Sequence, residues 1–114
     1  RKAINGSRIL VLGVAYKRDV GDVRESPALD VIHLLRLRGA DVDYHDPYIE
    51  SVRFDGYGLA SVDLTAETLA AADCVVVVTD HGVFDWAWIT ANAHLLVDTR
   101  NAVKQNGLAR VVRL

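Results

Sequence analysis

"RILVLGVAYKRDVGDVRESPALDVIHLLRLRG", residues 8–39, decides how this chain folds. After Arg8 its opening "RILVLG" (8–13) is continuously apolar and is predicted to be a buried strand. Its closing part is predicted to be a helix. Ser26 stands where an N-cap is wanted, and Pro27 suits the first helical position, whose N–H has no intrahelical partner. Ala28, Val31, Ile32 and Leu35 recur on one face, Arg36 and Arg38 suit the negative C-terminal end, and Gly39 is a natural stop. A strand-to-helix connection normally takes about two to six residues. The connection here, within "AYKRDVGDVRESP" (15–27), is longer and carries Lys17, Arg18, Asp19, Asp22, Arg24 and Glu25. That charge, set between a core strand and a core helix, needs a reason.

Outward from this unit the chain keeps alternating. "DVDYHD" (41–46) is predicted as a second strand closed by Pro47. Residues 48–61, rich in Gly, Ser and Asp, are predicted to be loop, with "VDL" (62–64) a short strand. "TAETLAAA" (65–72) is a short helix capped by Thr65 or its neighbours. "CVVVVT" (74–79) is uninterrupted and β-branched, as a central parallel strand covered on both faces should be. "FDWAWITAN" (84–92) is predicted helical, "HLLVD" (94–98) a strand and "ARVVRL" (109–114) a last strand. The order predicts an α/β fold, a three-layer Rossmann-like sandwich with a mostly parallel sheet flanked by helices. Residues 1–114 are expected to form one domain.

Composition narrows the function. With 114 residues, 51% hydrophobic, the chain can bury a core. A net charge of -2 argues against a nucleic-acid surface. No apolar run reaches the roughly 20 residues of a membrane span, and no signal peptide is visible. One Cys excludes an intrachain disulfide and fits a reducing, cytoplasmic compartment. The chain starts at Arg1, almost on the first strand, as a piece of a longer protein would.

Ligands of open α/β sheets bind beyond the carboxyl ends of the strands. Four polar groups of residues follow those ends. They are Tyr16-Lys17, Asp46-Pro47, Thr79-Asp80-His81 and Asp98-Thr99-Arg100-Asn101. The helix start at Ser26 would offer free N–H groups to an anion, to which Lys17, Arg24 and Arg100 would add charge. A phosphorylated ligand is therefore expected. The competing reading pairs Arg24 with Asp19, Asp22 or Glu25 and gives it only the work of shaping the loop. A G-x-G-x-x-G fingerprint is missing, since "GVAYKR" follows the first strand and only Gly13 matches. There is no Walker sequence. Cys74 opens a buried strand and is read as a packing residue. His33 lies off the main apolar face of its helix. His45, His81 and His94 have no metal-ligand spacing, and of these only His81, at a strand end, is a candidate for function. Trp86 and Trp88 are read as packing residues rather than stacking platforms.

With these residues laid out, the sequence "VLGVAYKRDVGDVRESPALDVIHLLRLRGADVDYHDPY" resembles the start of the C-terminal domain of the UDP-glucose/GDP-mannose dehydrogenase family. The later "VVVVTDHGVFD" and "LLVDTRN" resemble that domain's next landmarks in order and spacing. The resemblance implies an oxidoreductase that oxidises the C6 hydroxyl of a nucleotide-sugar to a carboxylate in two steps with two NAD molecules, in polysaccharide or surface-glycan synthesis. It implies that Tyr16 and Lys17 contact the UDP-sugar, that Arg100 reaches the substrate, and that Arg24 and Ser26 mainly fix the loop or contact phosphate. The family's NAD fingerprint and catalytic Cys motif are both absent, and Cys74 does not match the latter. NAD is thus expected on a missing N-terminal domain. This stretch alone is expected to hold no catalytic residue, no metal and only part of a substrate site, with the remaining domains of the same enzyme and a homo-oligomer as partners. "TDH" and "DTRN" resemble the N-acetylhexosamine dehydrogenases of the family more than the UDP-glucose enzymes. The alternative is a stand-alone nucleotide-binding or assembly module without catalysis.

Overall fold

Five strands pair side by side, all in parallel, and the β-branched run at residues 75–77 takes a central place, where both faces are covered. The computed structural model describes residues 4–15, 27–54, 57–100 and 110–113. The sheet is built from β1 (Arg8–Leu12), β2 (Asp41–His45), β5 (Cys74–Val77), β6 (Leu95–Asp98) and β7 (Arg110–Arg113), in the order β2-β1-β5-β6-β7. Between β2 and β5 come a hairpin, β3 (Ser51–Phe54) and β4 (Tyr57–Ala60), and the helix α2 (Ala66–Ala71). The helix α1 (Pro27–Leu37) joins β1 to β2, and α3 (Trp86–Asn92) joins β5 to β6.

Two apolar layers close the faces. Ala28 and Ile32 of α1 pack with Ile9, Val11, Val42 and Tyr44 on one side. Leu69 of α2 and Ile89 of α3 pack with Leu10, Leu12, Val75 and Leu96 on the other. Alternate residues of β1 and β5 thus feed opposite layers, and the predicted three-layer arrangement is present. Each helix ends for a local reason. In α1 the Ala40 N–H donates to Leu35 O and the Gly39 N–H to Arg36 O, with Gly39 at φ 88°. This is a Schellman stop in which glycine takes the left-handed conformation. In α2 the Thr65 hydroxyl accepts the Thr68 N–H at 3.1 Å, and the Thr68 hydroxyl accepts the Thr65 N–H at 2.9 Å. This reciprocal pair satisfies two otherwise orphaned donors. α3 starts at Trp86, two residues later than predicted, because Asp85 caps it by accepting the Trp88 N–H.

Two expectations fail. Residues 48–61 are not all loop, because β3 and β4 form an antiparallel hairpin with Val52 opposite Leu59. Val52 is buried among the α1-side core residues, and that burial holds the hairpin down. Residues 62–64 are not a strand. The Val62 N–H donates to Tyr44 O, and Val62 and Leu64 then turn into the α2–α3 layer instead of extending a ladder.

Candidate functional site

The chain runs from β1 outward to β2, then returns to the opposite side of β1 as β5. The switch point of the sheet therefore lies between β1 and β5, and the crevice beyond their carboxyl ends is the expected ligand position. Three of the four polar groups after the strands meet there through described residues. Gly13 leaves β1 at φ 87°, and a side chain on it would come within 2.5 Å of Thr79 Cβ. Only glycine allows this approach. The Thr79 hydroxyl then donates to Ala15 O at 2.8 Å, tying the exit of β1 to the exit of β5.

Asp46, at the end of β2, closes the same corner. Its Oδ2 accepts the N–H of Val14 at 2.8 Å and that of Ala15 at 3.0 Å. The same oxygen is 2.9 Å from His81 Nε2, and Oδ1 accepts the Tyr48 N–H at 2.8 Å. Carboxylate oxygens only accept, so Nε2 is the donor in this contact. Both side chains are closed to solvent. The ring of His81 is flanked by Tyr48, edge-on at 4.8 Å between centroids, and by Phe84 at 5.6 Å. The two backbone N–H groups that follow Gly13 are thus engaged by an acid of the protein itself. In sheets that bind a dinucleotide, the glycine-rich turn after the first strand brings the backbone and the following helix N-terminus to the pyrophosphate. The residues here do not fit NAD in that manner.

Arg100 stands two residues beyond β6. Its N–H donates to Asp98 Oδ1 at 3.0 Å, and its Nε donates to Val78 O at 2.7 Å. Asp98 itself is fully buried. The guanidinium is thereby docked against the end of β5 while the residue remains exposed. Among the described residues no acceptor meets its two terminal amino groups, which carry four N–H donors. The Thr99 hydroxyl donates to Val77 O beside it. Tyr16, Lys17, Arg24 and Ser26 lie outside the described residues, as does Asn101.

The remaining candidates have structural settings. Burial pushes the Cys74 thiol up, and the charge of Asp73 adds to this, so it is the opposite of an activated thiolate. His45 Nδ1 meets Val62 O at 2.7 Å, and His94 Nε2 meets Ala70 O at 2.9 Å. Trp86 is half-buried against Phe84, whereas Trp88 is exposed. Among the described residues no group of three metal-ligating side chains exists, and no helix is long and apolar enough to cross a membrane. A cavity of about 290 Å³ opens at the other end of the sheet, lined by Arg8, Asp41, Asp43, Thr68 and Ala72 among others. It lies at the amino ends of β1 and β2, and its two carboxylates would repel a phosphate, so it is a poor match for an anionic ligand.

The chain is similar to known nucleotide-sugar dehydrogenases. The chain is 40% identical over 81 residues to a UDP-N-acetyl-D-mannosamine dehydrogenase of Methanococcus maripaludis, covering 71% of this chain and 18% of that protein. It is 35% identical to a UDP-glucose 6-dehydrogenase of Rhizobium meliloti, covering 94% and 26%. The fold matches the UDP-D-ManNAc dehydrogenase structure from Pyrococcus horikoshii with a TM-score of 0.76 and 27% identity, over 97% of this chain and 26% of that one. The chain thus spans about a quarter or less of these proteins. The sequence profile described as the UDP-glucose/GDP-mannose dehydrogenase family, UDP binding domain, matches residues 10–105, and the chain belongs to that family.

Proposed function

We propose that this chain is the UDP-sugar-binding part of an NAD-dependent nucleotide-sugar 6-dehydrogenase, a longer protein that oxidises the sugar C6 hydroxyl to a carboxylate. The observation that carries this reading is the docked guanidinium of Arg100. Its Nε is fixed on Val78 O, which leaves two amino groups at the switch-point edge to meet a diphosphate. Tyr16 and Lys17, one and two residues past the clamped Ala15, supply the other contacts to the nucleotide-sugar. Arg24 and Ser26 shape the charged segment and meet phosphate at the start of α1.

NAD would be held by another domain of the longer protein, a reading supported by the engagement of the Val14 and Ala15 amides by Asp46. The role of this chain is to bind and orient the nucleotide end of the substrate. The oxidation itself, the remaining domains and a homo-oligomeric assembly belong to the longer protein. Between sugars, the "TDH" and "DTRN" segments favour an N-acetylhexosamine over glucose. UDP rather than GDP is the nucleotide, in keeping with the family description of this domain.

The test is an amide chemical-shift titration of the chain with UDP, GDP and NAD in separate runs. UDP is expected to shift the amides of Tyr16, Lys17 and Arg100, with GDP weaker and NAD without effect. Shifts induced by NAD and not by UDP would overturn the reading.

A further inference from the structure

Asp46 and His81 are 35 residues apart in sequence and come from the ends of different strands, yet their side chains meet at 2.9 Å with no access to solvent. Burying such a pair costs desolvation that two packed apolar side chains would not, so stability alone is a weak reason for it. What the pair holds is more informative. One oxygen of Asp46 takes the N–H groups of Val14 and Ala15 together with His81 Nε2. The Ala15 carbonyl is taken by the Thr79 hydroxyl. Both backbone polar groups of Ala15 are therefore held by side chains from other strands. Ala15 is the last residue before Tyr16 and Lys17.

We propose that Asp46 and His81 are positioning residues for nucleotide-sugar binding, a role that rests on the function proposed above. His81 fixes the Asp46 carboxylate. The carboxylate fixes the Val14 and Ala15 peptides, which immediately precede Tyr16 and Lys17 in sequence. Neither residue touches the ligand. Without the His81 N–H, the carboxylate loses one of the donors that hold it, and the Ala15 peptide is no longer confined to one orientation. Glutamine can place an N–H where Nε2 stands, and leucine cannot.

The experiment measures the dissociation constant for UDP by calorimetry on the 114-residue chain, with the melting temperature and amide hydrogen exchange recorded in parallel. His81→Leu is expected to weaken UDP binding about tenfold, the equivalent of one lost charged hydrogen bond, at a temperature where the variant is fully folded. Exchange at the Val14 and Ala15 amides should quicken in the same variant. His81→Gln is expected to return the affinity to within about twofold of wild type, because the donor is restored. Asp46→Asn keeps the shape but must turn an NH2 towards one set of donors, and it gives the same readout if His81→Leu does not fold. A folded His81→Leu or Asp46→Asn chain that binds UDP as tightly as wild type overturns the positioning role and leaves the nucleotide reading standing. A wild-type chain that does not bind UDP overturns the nucleotide reading and this proposal with it.

Discussion

Arg100 Nε and the carbonyl oxygen of Val78 lie 2.7 Å apart, joining the segment after β6 to the segment after β5. This contact converts a long flexible side chain into a fixed fork of donors. The ordering cost of an arginine, about 2 kcal/mol of rotamer freedom, is partly met before any ligand arrives. Arg100→Ala is expected to weaken UDP binding by about tenfold or more while changing the melting temperature little, since the residue is exposed. Arg100→Lys should fail to restore binding, because an ammonium cannot hold Val78 and present a planar pair of donors together. Calorimetry with UDP reads both variants.

Gly13→Ala tests the close approach of β1 and β5. The new methyl would lie 2.5 Å from Thr79 Cβ and 2.6 Å from Thr79 O, at a backbone φ of 87°. Left-handed strain and overpacking each cost about 1–3 kcal/mol, so a loss of roughly 2–6 kcal/mol in urea unfolding is expected. A loss close to zero would mean that the two strand ends are not locked together.

Removing the cap of α2 should have a small, separate effect. Thr65→Ala deletes the acceptor of the Thr68 N–H and is expected to cost about 1 kcal/mol, without altering UDP affinity. Equilibrium unfolding and calorimetry on the same sample check both halves of the statement.

Tyr44 predicts how the fold responds to alkali. It is fully buried, and its hydroxyl donates to Ile49 O at 3.1 Å. Burial pushes it up to about 12, and the charges of Asp46 and Glu50 add to this. The folded state therefore holds the phenolic proton more tightly than the unfolded chain, in which the group titrates near 10. Its contribution to stability is complete below about pH 10 and is lost as the pH rises through about 12. Unfolding free energy should fall more steeply across this window in wild type than in Tyr44→Phe, and equal slopes would contradict the account.

Much of this was legible in the sequence because it rests on local signals. The β-branched run at residues 74–77, the Pro27 start and the Gly39 stop of α1, and the Thr65 cap each depend on a few neighbouring residues. The alternation of strands and helices then fixes a parallel sheet and places its carboxyl ends together. The hairpin β3–β4 was missed although Asp55-Gly56, a strong hairpin dipeptide, separates its strands. Surrounding Gly, Ser and Asp residues outweighed it, and the burial of Val52 that secures the hairpin is a tertiary fact. His81 stood out only for its position after a strand. That it meets Asp46 follows from β2 and β5 lying on either side of β1, which no local pattern specifies. The docking of Arg100 on Val78 is hidden for the same reason.

The most direct test of the central claim is a crystal structure of the chain grown with UDP. The account predicts the diphosphate at the carboxyl edge between the exits of β1 and β5, within hydrogen-bond distance of the Arg100 guanidinium, with the Asp46–His81 contact intact beneath it. UDP bound instead in the cavity at the amino ends of β1 and β2, among Arg8, Asp41 and Thr68, would contradict it.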